Sequence, residues 1–324
     1  MKNVIIIGAG QIGSRHLQGL AKINDDLNIT VIDPSSESLK TAKERYFQVD
    51  NINTSSIVNF RKDIPKFQKL DIAIIATSSK IRKKVIKDLL VKSDPRFFIL
   101  EKVAFQNLED FKEIGNIFKT KNINSWVNCP NRAYESYKIL KDRLNQKSPL
   151  EMKISGGNWG LASNSIHYID LFSFLTGTIQ MQITQSEIDN KIYSSKRDGF
   201  LELGGTIKIE SINNDSLIME DIKSSDGPVI LSIKTPNFDI EINENLQESA
   251  LVDKQKLSKK IISSFELTNQ STLTTDIVSR ILSEGRSDLI DLENSYRLHK
   301  IIIPFFINKM NEISNSSIKD CPIT

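Results

Sequence analysis

A glycine turn near the N-terminus constrains the fold more than any other feature of the chain. Residues 4–7 are an uninterrupted apolar run, and a glycine-rich segment follows it directly. The run predicts a buried strand, and the spacing of apolar residues over 14–22 predicts a helix. The turn between them spans residues 8–13 and contains Gly8, Gly10, Gln11, Ile12 and Gly13, the candidate cofactor-binding residues. Glycines at these places allow a tight turn, a close approach of the backbone to a ligand, and close packing of helix on strand.

An acidic residue ends the next predicted strand. Asp33 follows the run 28–32 and lies twenty residues after Gly13. In a dinucleotide-binding unit such a carboxylate accepts hydrogen bonds from ribose hydroxyls, while the pyrophosphate lies at the helix N-terminus. The pattern predicts NAD; NADP is not excluded, because Ser35 and Ser36 can receive a phosphate. The alternative is an ordinary turn in which Asp33 caps the backbone before Pro34. Tighter binding of NADP than of NAD in a titration would contradict the preference for NAD.

The length of 324 residues favours two domains, because one hydrophobic core rarely grows to this size. Over 3–127, short apolar runs alternate with amphipathic stretches, which predicts a doubly wound parallel Rossmann sheet of α/β class. We expect strands at 3–7, 28–32, 71–76, 97–100 and 124–127, with a weak strand within 48–60. We expect helices at 14–22, 36–46, 79–91 and 108–119.

The pattern changes after residue 145, where strand-like alternation separated by turn residues predominates. It predicts an α+β domain with a mostly antiparallel open sheet and few helices. The expected strands are 150–157, 180–192, 200–211, 215–223, 227–235 and 238–243. The expected helices are 165–176, closed by Gly177, then 268–284 and 290–312. The predicted bounds are 1–127 for the dinucleotide-binding domain and 128–324 for a substrate-binding and oligomerisation domain.

Composition argues against several classes of protein. The net charge of +3 is spread along the chain, and the basic stretch 80–84 is expected to be the solvated start of a helix rather than a nucleic-acid site. Cys129 and Cys321 lack the neighbouring ligands of a metal site, so no metal is expected and both should be reduced. The N-terminal apolar run is too short for a signal peptide or a membrane span, which predicts a cytoplasmic protein without membrane contact.

Three motifs together resemble the Gfo/Idh/MocA family of glucose-fructose oxidoreductase and inositol dehydrogenase. His16 continues the glycine turn, Glu101-Lys102-Val103 is similar to the Glu-Lys-Pro motif of that family, and His167 begins a His-x-Ile-Asp sequence after Trp159 and Gly160. The resemblance implies an NAD(P)-dependent oxidoreductase acting on a CH-OH group of a sugar-like molecule. It also implies that Thr77, Ser78 and Glu101 line the cofactor site.

Lys102 and His167 are the catalytic candidates. Lys102 follows a central strand at the edge where open α/β sheets bind ligands, so its ammonium can hold a substrate hydroxyl or polarise a carbonyl. Glu101 would shape the backbone there or pair with Lys102. The imidazole of His167 can accept the hydroxyl proton as hydride leaves the same carbon. The plainer alternatives are a solvated lysine and a histidine satisfied by local hydrogen bonds.

Two departures from the family pattern weaken the predicted proton relay. Ser163 stands where many members have an aspartate one turn before the histidine, and Val103 replaces the proline. A serine can orient the ring or cap the helix, but it cannot supply negative charge. The candidate substrate residues are Asn131, Arg132, Asn158, Trp159, Ser163 and Asn164. Arg132 would bind a carboxylate or phosphate of the substrate.

Three functions fit these residues. The leading hypothesis is hydride transfer between nicotinamide C4 and a carbinol or ketone carbon of a sugar, sugar acid, nucleotide sugar or polyol. The second is a non-redox cofactor-binding sensor or scaffold with an incomplete relay. The third is a reaction that recycles a bound NAD within one turnover. A dimer or tetramer joined through the C-terminal sheet is expected, because a sheet open on one face usually needs a cover; light scattering that shows only monomer would contradict it.

Overall fold

The computed structural model describes residues 1–144, 149–253, 258–262 and 265–324. The described chain divides into two compact units. The first contains residues 1–130, 268–295 and Thr324, and the second contains 131–267 and 296–323. The first unit is therefore discontinuous in sequence, because a segment from the last sixty residues packs with the N-terminal part.

The first unit is built on a parallel sheet of the predicted class. Its strand order is β17-β6-β5-β4-β1-β2-β3, and all neighbours are parallel except β17, which runs antiparallel to β6. The strands are β1 (Lys2–Ile7), β2 (Leu27–Ile32), β3 (Ile57–Arg61), β4 (Leu70–Ile75), β5 (Pro95–Glu101), β6 (Asn124–Asn128) and β17 (Ile290–Asp291). The five strands predicted over 3–127 are confirmed within a few residues, and so is the weak strand within 48–60.

The helices of this unit cover both faces of the sheet's buried central strands. They are α1 (Gln11–Leu20), α2 (Ser36–Phe47), α3 (Ser79–Lys92), α4 (Leu108–Thr120) and α7 (Gln270–Glu284). Helix α7 crosses α1 closely at Gly19, where an added Cβ would lie 2.3 Å from the carbonyl oxygen of Ser271. Within the described ranges, no helix is both long and apolar enough to span a bilayer.

The second unit is built on an eight-stranded sheet in the order β16-β15-β14-β13-β7-β12-β11-β8, antiparallel except for the β7 and β12 pair. Its strands are β7 (Glu151–Gly157), β8 (Met181–Ile188), β11 (Gly205–Ser211), β12 (Ser216–Ile222), β13 (Ile230–Lys234), β14 (Phe238–Asn243), β15 (Glu248–Asp253) and β16 (Ser258–Ile262). A small separate pair comprises β9 (Tyr193–Ser194) and β10 (Leu201–Glu202). The predicted mostly antiparallel sheet is confirmed.

Two helices belong wholly to the second unit, and a third is shared. They are α5 (Glu135–Leu144), α6 (Leu161–Thr176) and the shared α8 (Leu292–Ser314), with a 3-10 turn at Pro130–Ala133. Gly177 ends α6 in the left-handed conformation at φ 71°, as predicted from its position. Helix α6 is buried along most of its length, so it forms the core of this unit on one face of the sheet.

The predicted start of α6 at residue 165 is wrong by four residues. The Asp221 carboxylate accepts the N–H groups of Gly160 and Leu161 at 3.0 Å each. The Glu202 carboxylate accepts those of Ala162 at 2.9 Å and Ser163 at 3.1 Å. Two buried acids from distant strands thus satisfy the first turn, a role that local sequence does not disclose.

Two further predictions need correction, and two strands were not predicted at all. The expected strand 200–211 is two strands, interrupted at Leu203 and Gly204, and the strands over 248–262 were not predicted. The basic stretch 80–84 is not wholly solvated, because Arg82 is 1% exposed. Its side chain turns inward to backbone carbonyls, which periodicity alone cannot reveal.

We predict that Asp221→Ala lowers the free energy of unfolding by about 3 kcal/mol. The substitution removes the carboxylate oxygen that accepts two N–H groups at the start of α6. It also leaves the ammonium of Lys223, which lies 2.7 Å from Asp221, buried without its ion partner. Urea unfolding followed by circular dichroism measures the change. The matched control is Glu210→Ala, whose ion pair with Lys208 lies at the surface and should contribute less than about 1 kcal/mol. Equal effects of the two variants would contradict the capping role of Asp221.

Candidate cofactor site and catalytic residues

Two glycines of the turn are required by the packing of β1, α1 and β4. Gly8 has φ +99°, and a Cβ there would lie 2.7 Å from the carbonyl carbon of Ala76. A Cβ on Gly13 would lie 1.7 Å from the carbonyl oxygen of Gly8. Any side chain at either position would separate these elements, so both residues act by allowing close backbone contact.

Gly10 has a different role. A Cβ on Gly10 would meet no atom within 4 Å, so the protein's own packing does not require a glycine there. Gly10 is the N-cap of α1, and among the described residues no side chain caps this helix end. The first turn also holds no acidic residue. Open space beside uncapped N–H groups at the positive end of the helix dipole fits an anionic group such as a pyrophosphate.

Asp33 lies beside this turn. Its carboxylate accepts the N–H of Ala9 at 2.8 Å through one oxygen and the N–H of Ser35 at 2.8 Å through the other. Each carboxylate oxygen has two lone pairs, so both can still accept a hydroxyl donor. Asp33 therefore lies beside the glycine turn, and its two backbone bonds fix the carboxylate in place, whereas its binding of ribose hydroxyls stays a prediction.

The end of β4 supplies two further candidates. The Thr77 hydroxyl is buried and has no hydrogen-bond partner among the described residues, which suits a group that meets a ligand. Ser78 is the N-cap of α3, but its side chain makes no capping hydrogen bond. The N–H of Ser79 donates instead to the Thr324 hydroxyl at 3.1 Å. The Ser78 hydroxyl therefore does not cap α3.

Glu101 is the centre of a buried polar network. Its carboxylate binds His16 Nε2 at 2.9 Å and accepts the Asn128 side-chain amide at 2.6 Å. His16 Nδ1 lies 2.9 Å from the Thr274 hydroxyl of α7. Burial raises the pKa of Glu101, but the hydrogen bonds and positive charge around it outweigh burial and hold the pKa below its ordinary value. The network joins α1, β5, β6 and α7.

Lys102 follows Glu101 directly at the carboxyl end of β5. Strands β4 and β5 are parallel neighbours, with Ile75 opposite Leu100, so the residues after each strand lie at the same edge of the sheet. Lys102 is partly buried, and the peptide bond to Val103 is cis. The predicted position of Lys102 at the ligand-binding edge of the sheet is confirmed, whereas its chemical role stays a prediction.

In the second unit, His167 lies on the accessible stripe of α6. Of the sixteen residues of this helix, Asn164, His167 and Phe174 are partly exposed and the rest are buried. Because the helix begins at Leu161, His167 lies in its second turn rather than at its start. Ser163 lies one turn earlier, where its N–H is held by Glu202.

The candidate substrate residues have partners within the second unit. Arg132 Nε donates to the buried Asp170 carboxylate at 2.9 Å, and its guanidinium lies over the Phe174 ring at 5.5 Å. Asn158 donates to the Ser225 carbonyl at 3.1 Å. Asn131 lies in the 3-10 turn, where its carbonyl accepts the N–H of Tyr134. These contacts fix the side chains or backbone of residues that the sequence suggested for substrate.

Trp159 and Asn164 form a second small group. Trp159 Nε1 donates to the Glu220 carbonyl at 2.8 Å, and its ring meets Tyr168 edge to face at 5.4 Å. Asn164 donates to the Trp159 carbonyl at 2.6 Å. Trp159 is 9% exposed, so a sugar could stack only on the small part of the ring that remains accessible. This stacking stays a prediction.

Comparison with known proteins identifies the first unit. Residues 2–129 match the Gfo/Idh/MocA model, described as an oxidoreductase family with an NAD-binding Rossmann fold. Residues 2–129 belong to the Gfo/Idh/MocA oxidoreductase family. The match confirms the family and cofactor predictions, whereas the roles of the glycine turn and Asp33 in binding NAD stay predictions. No curated protein matches the sequence.

Solved structures share the fold over nearly the whole chain. UDP-N-acetylglucosamine 3-dehydrogenase from Acidithiobacillus ferrooxidans has a TM-score of 0.69 at 12% identity, covering 93% of this chain and 95% of that one. An oxidoreductase from Agrobacterium radiobacter, in complex with NAD+, L-tartaric acid and magnesium, has a TM-score of 0.70 at 14% identity, covering 93% and 94%. Biliverdin reductase from Synechocystis, in complex with biliverdin and NADP+, has a TM-score of 0.70 at 12% identity, covering 92% and 96%.

One polar cluster of the second unit was missed by sequence reasoning. The Glu244 carboxylate accepts the hydroxyl of Tyr137 and, at 3.2 Å, the hydroxyl of Tyr168. Burial raises the pKa of Glu244, while the two hydroxyl donors lower it by less. Burial also raises the pKa of nearby Tyr134 to about 12. Glu244 follows β14 in a turn, and its sequence position gives no signal that two tyrosines from helices meet it.

We predict opposite effects for two substitutions in the Gfo/Idh/MocA glycine turn. Gly10→Ala should fold with a free energy of unfolding within about 0.5 kcal/mol of wild type, because its methyl group meets open space. It should raise the Kd for NAD about tenfold or more, because that space is where the pyrophosphate is expected. Gly13→Ala should destabilise the unit by more than about 3 kcal/mol through backbone overlap. Calorimetric titration and urea unfolding measure both, and a Gly10→Ala variant that binds NAD like wild type would contradict the site.

The lowered pKa of Glu101 predicts a pH-dependent contribution to stability. A carboxyl whose pKa is lower in the folded than in the unfolded state stabilises the fold above its unfolded pKa, and this is lost as pH falls through the folded pKa. The unfolding free energy of wild type should therefore exceed that of Glu101→Gln by the largest amount at neutral pH. This difference, the gap between the two proteins, should close as the pH falls below about 4.5. Urea unfolding at a series of pH values measures the gap. A gap that is constant from neutral to acid pH would contradict the ionised state.

Proposed function

We propose that the protein is an NAD-dependent oxidoreductase that transfers a hydride between nicotinamide C4 and a carbinol or ketone carbon of a sugar, sugar acid, nucleotide sugar or polyol. The observation that carries the proposal is the uncapped N-terminus of α1 beside Asp33, at the same sheet edge as Lys102. The N–H groups at the start of α1 would hold the diphosphate of the cofactor, and the strand ends that carry Thr77 and Lys102 would hold its nicotinamide half.

The residues present fit the cofactor. Uncapped N–H groups suit its diphosphate, the fixed Asp33 carboxylate suits ribose hydroxyls, and the unpartnered Thr77 hydroxyl suits its second ribose. A carboxylate at position 33 would repel the additional phosphate of NADP, which is why we favour NAD. When bound, NAD supplies the hydride acceptor.

The chain's own residues would manage the proton and the orientation of the substrate. We assign His167 as the base that would take the hydroxyl proton while the C–H hydride leaves the same carbon for the nicotinamide, so that a secondary alcohol would become a ketone. We assign Lys102 to hold the substrate oxygen, on which negative charge develops as the proton leaves. Arg132 is the candidate for binding a carboxylate or phosphate of the substrate. The candidates for binding its hydroxyls are Asn131, Asn158, Trp159 and Asn164.

The names of proteins with this fold support the substrate class only broadly. A nucleotide-sugar dehydrogenase and an oxidoreductase complexed with tartaric acid fit a hydroxylated, partly acidic substrate. Biliverdin reductase shares the fold equally well, so the fold alone is compatible with reduction of a quite different molecule. The polar residues of the second unit favour the hydroxylated class.

A second candidate function is a non-redox sensor or scaffold that binds NAD. Ser163 favours it, because it puts no charge one turn before His167 and its own N–H is held by Glu202. The nearest acid on the helix after His167 is Asp170, which is ion-paired with Arg132. Cofactor that co-purifies and resists dialysis would instead favour a reaction that recycles NAD within one turnover.

We predict that Lys102→Ala and His167→Ala each lower kcat by about 10² or more while leaving the Kd for NAD nearly unchanged. The assay follows reduced nicotinamide absorbance with a panel of sugars, sugar acids and polyols. Lys121→Ala is the matched control, because Lys121 is an exposed lysine of the same unit that pairs with Asp94. Unchanged turnover in both variants would contradict the assigned roles. A broad panel in which wild type reduces no NAD would favour the sensor.

The eight-stranded sheet is also the surface through which we propose a homo-oligomer. Its outer face carries charges of both signs in close pairs, such as Lys153 with Glu220 at 3.0 Å and Lys234 with Glu151 at 3.5 Å. A polar face of this kind suits a second copy whose charges complement it. Light scattering should give a dimer or tetramer at micromolar concentration, and a monomer at every concentration would refute this.

A further inference from the structure

Arg82 is a buried cation that the proposed mechanism does not use. It lies on α3 within a basic stretch whose other lysines reach the surface, yet its own residue is 1% exposed. Placing a guanidinium out of water is unfavourable unless its donors are satisfied. Because the guanidinium of Arg82 is buried nevertheless, we look for its role in the atoms that it contacts.

The atoms that Arg82 contacts belong to two loops at the cofactor edge of the sheet. Nη1 donates to the carbonyl oxygen of Val103 and, at 2.8 Å, to that of Ala104. Nη2 donates to the carbonyl oxygen of Thr77. Thr77 follows β4, and Val103 and Ala104 follow the adjacent β5, so one side chain ties together the ends of two neighbouring strands.

Lys102 lies between two fixed points as a result. Its preceding residue, Glu101, is held by His16 and Asn128, and its following residue, Val103, is held by Arg82. A planar guanidinium presents its donors in a rigid fork, so it can fix three carbonyls relative to one another. A lysine in its place would keep the charge but could not reproduce that arrangement.

We propose that Arg82 is the positioning residue that holds the Thr77 and Lys102 loops in the arrangement that receives the nicotinamide half of the cofactor. The inference rests on the proposed function, because it takes Lys102 and Thr77 as part of the cofactor edge. Arg82 itself contacts backbone and acts through these two residues. The adenosine half, bound at α1 and Asp33, does not depend on it.

The first test compares two probes in Arg82→Lys and Arg82→Met. ADP reports on the α1 and Asp33 part of the site, and NADH reports on the whole site. We expect each variant to bind ADP like wild type and to bind NADH about tenfold or more weakly, the loss expected when a fixed charged hydrogen-bonding group is removed. Lys84→Met is the matched control, since Lys84 lies on the same helix, is largely exposed and pairs with Asp88; it should bind both probes like wild type.

Two results of this titration would overturn the inference. If a variant binds both probes like wild type, Arg82 does not position the loops. If Arg82→Lys loses ADP and NADH binding together, or fails to fold, Arg82 supports the whole unit rather than these two loops. Arg82→Lys keeps the charge and most of the volume, so its result decides the question even where Arg82→Met fails to fold.

Lysine labelling separates the inference from the proposed function. Acetic anhydride labelling with mass spectrometry gives the reaction rate of Lys102 with and without NADH, in wild type and in Arg82→Lys. We expect NADH at saturating concentration to slow the labelling of Lys102 in wild type and to give much weaker protection in the variant. No protection in wild type would contradict the place of Lys102 at the cofactor. Equal protection in both proteins would contradict the role of Arg82 alone.

Discussion

The close backbone contact between Gly8 and Gly13 is the constraint on which the cofactor edge depends. With no Cβ on either residue, the start of α1 lies directly over the end of β1 and beside the end of β4. That contact brings the uncapped N–H groups of α1 to the sheet edge, beside the Asp33 carboxylate. Once these groups share one edge, residues that follow β4 and β5 necessarily lie near it, because parallel strands end together.

The helices that carry the glycine turn and His167 differ at their N-termini. Helix α6 is capped by the buried carboxylates of Asp221 and Glu202, which hold four successive N–H groups. Helix α1 has no such partner among the described residues and no acid in its first turn. The positive end of α6 is therefore neutralised by the protein, whereas that of α1 is left for an anion. In helices α3 and α7 the N-cap side chain also makes no capping hydrogen bond and the first turn holds no acid, so it is the open space beside Gly10, together with the Asp33 carboxylate, that favours α1 as the anion site.

Sequence reasoning succeeded where the determinants are local. Buried strands read as continuous apolar runs, and Gly177 and Asn107 mark helix ends through their own backbone or side-chain chemistry. Sequence reasoning failed where a residue is held by a hydrogen-bond partner that is distant in sequence. Glu202 and Asp221 come 40 and 61 residues after N–H groups that they cap, so the start of α6 was misplaced.

The candidate site shows the same division. The glycine turn and Asp33 could be read from spacing, because their geometry follows from one strand-turn-helix unit. The pairing of His16 with Glu101 joins two motifs that are 85 residues apart. The burial of Arg82 could not be predicted from the sequence either. It lies on a helix rich in lysine, and the carbonyl oxygens that it contacts come together only in the folded protein.

The most direct test of this account is a crystal structure of the protein with NAD. The account predicts the diphosphate on the backbone N–H groups at the start of α1, with the adenosine ribose hydroxyls within hydrogen-bond distance of the Asp33 carboxylate. A diphosphate bound elsewhere, with the N-terminus of α1 still uncapped, would contradict it.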